Sequence, residues 1–153
     1  MNAAATLGRP KEGDYSPLAG NYIALVSGED PVEALSSQME ETLQLLRAIP
    51  EGKGGHRYAS GKWTIREVIG HLSDAERIMS YRALRFARAD KTELSGFEEN
   101  DYVRNSNFNE RTLQDLSAEF EAVRHATLYL FKSPKIFLTL REVMTQVDVC
   151  QRA

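Results

Sequence analysis

Cysteine is nearly absent from this chain. Cys150 is the only one in 153 residues, so no internal disulfide framework holds the fold, and the usage fits a reducing compartment. Long hydrophobic runs are missing too. No segment approaches the roughly 18 apolar residues that a membrane span needs, and the opening MNAAATLGRPKEGD lacks the apolar stretch of a secretory signal. An excess of one charge is equally lacking: 19 Lys and Arg against 22 Asp and Glu leave a net charge of -3. No global field then draws the chain onto nucleic acid or an anionic membrane. These absences predict a soluble, cytoplasmic protein whose partners are small molecules or other proteins.

What is present is an apolar content of 42%, enough for the core of a single domain over residues 1–153. Residues 1–29 carry Gly8, Pro10, Gly13, Pro17, Gly20 and Gly28, a spacing that breaks regular elements. They read as a surface arm anchored by Tyr15, Tyr22, Ile23 and Leu25. Asp30, Pro31 and Glu33 then form a helix start, with an Asx cap, a proline at the first helical position and an acid three residues after the cap. Val32, Leu35, Met39, Thr42, Leu46 and Ile49 recur at steps of three and four until Pro50 ends the run.

After the glycine-rich EGKGGHRYASGK, Thr64 and Glu67 have capping-box spacing and open a helix running to about Ala89. Its apolar stripe is Ile65, Val68, Ile69, Leu72, Met79, Ala83 and Phe86, and Gly70 leaves room for a neighbouring backbone. The stretch KTELSGFEENDYVRNSNFN has too many turn formers for a helix and reads as a long ordered loop. A third helix starts near Asn109 or Thr112, carries Leu113, Leu116, Phe120, Val123, Thr127 and Leu130, and ends by Ser133. Residues 134–153 form a tail in which Thr139 and Glu142 offer a cap for a short fourth helix, with Leu140, Val143, Met144 and Val147 inward. The class is all-α, and three long amphipathic helices joined by loops argue for an antiparallel, up-down bundle with a short or incomplete fourth helix.

The chemistry centres on His71. Its helical angle places it at the rim of the apolar stripe, where an imidazole binds a metal while its second nitrogen needs an oriented acceptor. The plain alternative is a boundary histidine bonded to a loop, since no HxxxH, HExxH or CxxC accompanies it. Glu67 and Asp74 lie one turn either side, able to orient the ring or to form a solvated face. Glu76 falls among apolar positions, and a buried carboxylate needs a partner. Arg124, beside Phe120 and Val123, is the candidate, giving an ion pair that sets the register between two helices. His56 in its glycine-rich loop and His125 beside Arg124 read as solvated. Cys150 has no activating neighbour. Arg77, Arg82, Arg85 and Arg88 form no continuous stripe for nucleic acid.

The run GKWTIREVIGHLSDAERIMSYRALRFARAD, followed by LSGFEENDYVRNSNFNERTLQDLSAEFEAVRHATL, resembles the DinB-like superfamily of four-helix-bundle proteins. That group includes metal-dependent hydrolases and thiol S-transferases that use bacillithiol or mycothiol. The similarity extends from about Arg9 to Ser133. It implies a divalent metal, Zn or Ni, held by three histidines: one in the GHL motif and two from an HxxxH on the fourth helix. Only the first carries over, onto His71, because the chain has no HxxxH and its tail departs from the family pattern. A truncated or frameshifted coding sequence and true divergence both give such a tail. The resemblance therefore implies a metal-dependent transferase or hydrolase with an incomplete metal site, and with a low-molecular-weight thiol and a small-molecule substrate as its reactants. The alternative is a non-catalytic helical bundle that self-associates as a homodimer, since a missing fourth helix bares apolar stripes. A role in DNA damage finds no support in the charge pattern.

Overall fold

The computed structural model describes residues 10–13, 15, 17–26 and 30–133. The fourth helix expected from Thr139 and Glu142, and Cys150, lie outside the described residues. The architecture is all-helical: α1 Pro17–Leu25, α2 Pro31–Ala48, α3 Ile65–Ala87, α4 Glu99–Arg104 and α5 Leu113–Phe131, with single 3-10 turns at Glu51–Lys53 and Phe108–Glu110. Three of these helices are long, and they form the bundle. No described helix is long and apolar enough to cross a membrane.

The helix starts follow from their caps. The Asp30 carboxylate accepts the N–H groups of Val32 and Glu33 at 2.8 and 3.3 Å, and Pro31 occupies the first turn of α2, where no donor is required. At α3 the capping box closes in both directions. Glu67 N–H donates to the Thr64 hydroxyl at 3.0 Å, and Thr64 N–H donates to the Glu67 carboxylate at 2.7 Å. Thr112, not Asn109, caps α5 by accepting Asp115 N–H. Arg88 ends α3, and Ala89 turns the chain with φ of +54°.

α5 packs against both α2 and α3, whereas α2 and α3 scarcely touch each other among the described residues. The core joins Leu43 and Leu46 of α2, Ile69 of α3, Phe108, and Leu113, Leu116 and Phe120 of α5. Directions follow from the pairings. Arg47 meets Glu121 and Arg124 meets Leu35 and Gln38, so α2 and α5 are antiparallel. Thr64 meets Asn109, Glu76 meets Arg124 and Ser80 meets Thr127, so α3 and α5 run parallel. The up-down expectation, in which α3 would oppose both α2 and α5, is corrected: α3 and α5 run in one direction and α2 runs opposite to both. The physical reason is the 88–112 crossover, which carries the chain back over the roughly 35 Å length of α3 before α5 begins.

The expected Glu76–Arg124 pair is present. The Arg124 Nε lies 2.7 and 2.9 Å from the two Glu76 carboxylate oxygens, and the side chains are 8% and 10% exposed. Arg124 also donates to the Leu35 carbonyl and Gln38 Oε1, both at 3.1 Å, and lies over the Phe120 ring. One guanidinium therefore ties all three long helices together.

Four expectations are corrected. Residues 17–25 of the arm are helical, and Tyr22 and Leu25 are exposed rather than anchoring; Tyr15 instead packs on Gly20. The loop after α3 contains α4 and a 3-10 turn. Gly70 makes room for an aromatic ring, not a backbone, since a Cβ there would fall inside the Phe108 ring. The α3 stripe is also rotated: Ile69, Ser73 and Ala87 are buried, while Val68, Leu72 and Met79 are 43%, 39% and 51% exposed. The cause is that α5 takes the Ile69, Ser73, Glu76 and Ser80 side of α3, and the adjacent apolar side receives no described helix.

Two stability measurements test this packing. Glu76→Gln leaves the Arg124 charge buried with a weaker partner and should lower the unfolding free energy by about 3 kcal/mol; an unchanged denaturant midpoint would remove the register role. Gly70→Ala forces a methyl into the Phe108 ring and should cost about 2 kcal/mol, with Phe108→Leu in the same chain recovering part of the loss.

Candidate functional site

α3 presents His71 about two turns after the Thr64 cap, where the box of Thr64 and Glu67 fixes the phase of the helix. The anchoring extends to the start of α5. The Thr64 hydroxyl donates to Asn109 Oδ1 and the Asn109 amide donates to Glu67 Oε1, each at 2.8 Å. Burial pushes the Glu67 carboxyl up, but Thr64 N–H, the Asn109 amide and the Arg57 charge together hold it below the usual carboxylate range. Glu67 is therefore a structural acceptor and does not reach back to orient His71. A second brace is Glu51, whose carboxylate receives Arg66 at 2.6 Å and the Leu113 N–H at 2.9 Å.

The His71 ring lies against Trp63, with ring centroids 4.7 Å apart and planes tilted by 55°. Its Nε2 is 3.8 Å from a carboxylate oxygen of Glu99, the first residue of α4. Its Nδ1 is buried without a hydrogen-bond partner. An orphaned nitrogen on a mostly buried imidazole is costly in a core, because desolvation is not repaid by a bond. Asp74, one turn on, has its carboxyl raised by burial, against the pull of the Arg77 charge 3.5 Å away. Glu119 takes the stronger bond from Arg77, at 2.6 Å, and also pairs with Arg111.

Beyond His71 on α3 a groove of about 390 Å³ opens between the helix and residues 94–102. Arg77, Tyr81, Arg82, Phe97 and Tyr102 line it. Arg85 is occupied by Asp90, and Arg82 donates to the Ser95 carbonyl at 3.0 Å and lies over Phe97. Its volume suits a small molecule, and its arginines Arg77, Arg82 and Arg85 already pair with Glu119, the Ser95 carbonyl and Asp90.

The other candidates fall apart spatially. His56 and His125 are exposed. Among the described residues no three or more His, Cys, Asp or Glu side chains are grouped to hold a metal ion. The orphaned Nδ1 of His71 suits a ligand position, yet the described donors of one chain do not fit a three-histidine centre. Trp63 and Glu99 were missed as neighbours of His71. The tryptophan precedes the helix cap, and Glu99 sits in a segment whose turn formers hid α4.

The described residues form an all-helical bundle with one mostly buried histidine beside an exposed apolar strip of α3. A family model for the DinB superfamily matches residues 34–136, and the chain belongs to that superfamily. No curated protein and no solved structure matches it.

Trp63 is the only tryptophan, so its emission reports on this corner alone. Adding Zn(II) to the full chain should change that emission, and His71→Ala should abolish the response; a response that survives the substitution would place the metal elsewhere.

Proposed function

We propose that the chain is a DinB-superfamily domain of the metal-dependent transferase or hydrolase class, with a metal centre that one chain leaves incomplete. The observation that carries the reading is the mostly buried imidazole of His71, packed against Trp63 with its Nε2 3.8 Å from Glu99 and its Nδ1 without a hydrogen-bond partner. A divalent ion such as Zn or Ni would supply Lewis acidity there when bound. The groove along α3 would take the small-molecule substrate, and a low-molecular-weight thiol is the co-substrate that the transferase form of the reading requires. His71 alone provides too few donors to hold an ion tightly.

Elemental analysis and titration calorimetry of the purified chain test this. Zn or Ni should bind weakly, with no more than one histidine of each chain engaged, and His71→Ala should remove the binding. Tight binding of one ion per chain, or binding unaffected by His71→Ala, would overturn the reading.

A second reading rests on the exposed Val68, Leu72 and Met79 of α3: a non-catalytic bundle that self-associates. Light scattering separates the two. A dimer indifferent to metal and chelator supports the second reading; a melting temperature lowered by chelator supports the first.

A further inference from the structure

The groove between α3 and residues 94–102 holds a charge that its surroundings do not balance. Arg77, Arg82 and Arg85 all line it. Arg77 lies between two carboxylates, 2.6 Å from Glu119 and 3.5 Å from Asp74, and Arg85 is paired with Asp90 at 2.7 Å. Those two cations are neutralised. Arg82 is different, because among the described residues it forms no ion pair: its bonds go to the Ser95 carbonyl at 3.0 Å and, at 4.0 Å, to the Met79 sulfur. Both partners are uncharged.

The acids of the facing segment are turned to other groups. Glu98 accepts the Asn100 backbone N–H and side-chain amide, Glu99 faces the His71 imidazole at 3.8 Å, and Asp101 holds Arg104 at 2.6 Å. The Arg82 guanidinium is meanwhile held in position by the Ser95 carbonyl and lies over the Phe97 ring, 5.9 Å from its centroid. Its Nε donates to no described group. A half-buried cation fixed in place with a donor to offer can take a carboxylate by charge-assisted bonds, with little further ordering of the side chain.

The walls determine the rest of the ligand. Phe97 and Tyr102 meet edge to face with centroids 5.3 Å apart, Tyr81 stands on α3, and Ile78 and Leu94 are half-buried in the same groove. Such surfaces favour a flat, apolar body. One uncompensated positive charge matches a single negative charge, whereas a doubly charged phosphate monoester would meet the nearby Asp90 and Glu119 with no second free cation to offset them. The volume of about 390 Å³ is near the lower end of small-molecule sites, which begin at about 300 Å³, and suits one or two rings.

We infer that this groove binds a small aromatic monocarboxylate, with its carboxylate on Arg82 and its ring against Phe97, Tyr81 and Tyr102. The inference rests on the reading of the groove as the substrate's place given above, and it names the chemical class of that substrate. It requires no metal at His71 for binding.

An amide-resolved NMR titration of the full chain in chelator is the test, with naphthoate, its neutral counterpart naphthamide and the dianionic naphthyl phosphate as probes. Naphthoate should shift the amides of residues 77–85 and 94–102 and bind about tenfold more tightly than naphthamide. Naphthyl phosphate should bind no more tightly than naphthoate. Arg82→Gln should erase the preference for the acid while weaker binding of both ring compounds persists. Arg82→Lys, which keeps the charge and loses the planar fork, should retain part of that preference. Phe97→Leu should weaken acid and amide alike. Equal affinity for acid and amide, a preference that survives Arg82→Gln, tighter binding of the phosphate, or shifts confined to Val68, Leu72 and Met79 would each overturn the inference. A chain that ignores all three probes yet binds Zn(II) through His71 overturns it and leaves the metal reading standing; a chain that binds naphthoate through Arg82 and takes no Zn(II) removes the metal reading and leaves the ligand class in place.

Discussion

The Arg124 guanidinium fixes the arrangement of the bundle. It sits on α5, pairs with Glu76 of α3 and bonds the Leu35 carbonyl and Gln38 side chain of α2. A buried charge pair contributes little net stability once its desolvation is counted, but any arrangement that separates the partners leaves an unpaired charge in a low-dielectric interior. Its effect is therefore selective. Sliding α3 by one turn, or rotating it to bring Leu72 and Met79 inward, would carry the Glu76 carboxylate away from Arg124. The apolar gain from burying those two side chains is a few kcal/mol, comparable with the cost of breaking the pair, so the polar contact is strong enough to set the phase.

That phase decides what was legible in the sequence. Local signals are legible where the chemistry is local: the Asp30 cap with Pro31, the Thr64 and Glu67 box, and Thr112 as one of two candidate starts for α5 each involve residues within three positions of one another. The Glu76 and Arg124 pairing was also legible, because a carboxylate at an apolar angle needs a cation at a similar angle elsewhere. The inward face of α3 was not. Periodicity gives two neighbouring apolar strips on that helix, one through Ile69 and one through Leu72, and contains no information on which strip meets α5. The parallel course of α3 and α5 was hidden for a related reason, since helix direction is set by the length of the 88–112 connection. α4 was hidden by its own brevity: the six residues of Glu99–Arg104 are too few for a periodic signal.

The site shows the same division. His71 was placed at the rim by its angle alone, and it lies there. Its surroundings come from outside the helix, from Trp63 before the cap and Glu99 at the start of α4, and no spacing rule links positions 63, 71 and 99. Glu67 illustrates the converse. It stands one turn from His71 and invites a role beside the ring, yet its lone pairs are taken by Thr64 and Asn109, whose bonds hold the two helix starts together.

Among the described residues, the exposed strip of α3 and the unpaired nitrogen of His71 lie side by side on one helix. Once Arg124 has drawn Glu76 inward, the strip through Leu72 faces away from α5, while His71, one residue along, stays mostly buried against Trp63. Apolar side chains left in water and an imidazole nitrogen left without a bond are different kinds of deficit, one relieved by area and the other by a directed partner. They lie within one helical turn of each other. A partner that covers Leu72 without addressing His71 would bury a polar edge at a cost, and a small ligand on His71 would leave the strip exposed. Relieving both deficits therefore takes apolar surface over the strip and a directed polar partner for the nitrogen.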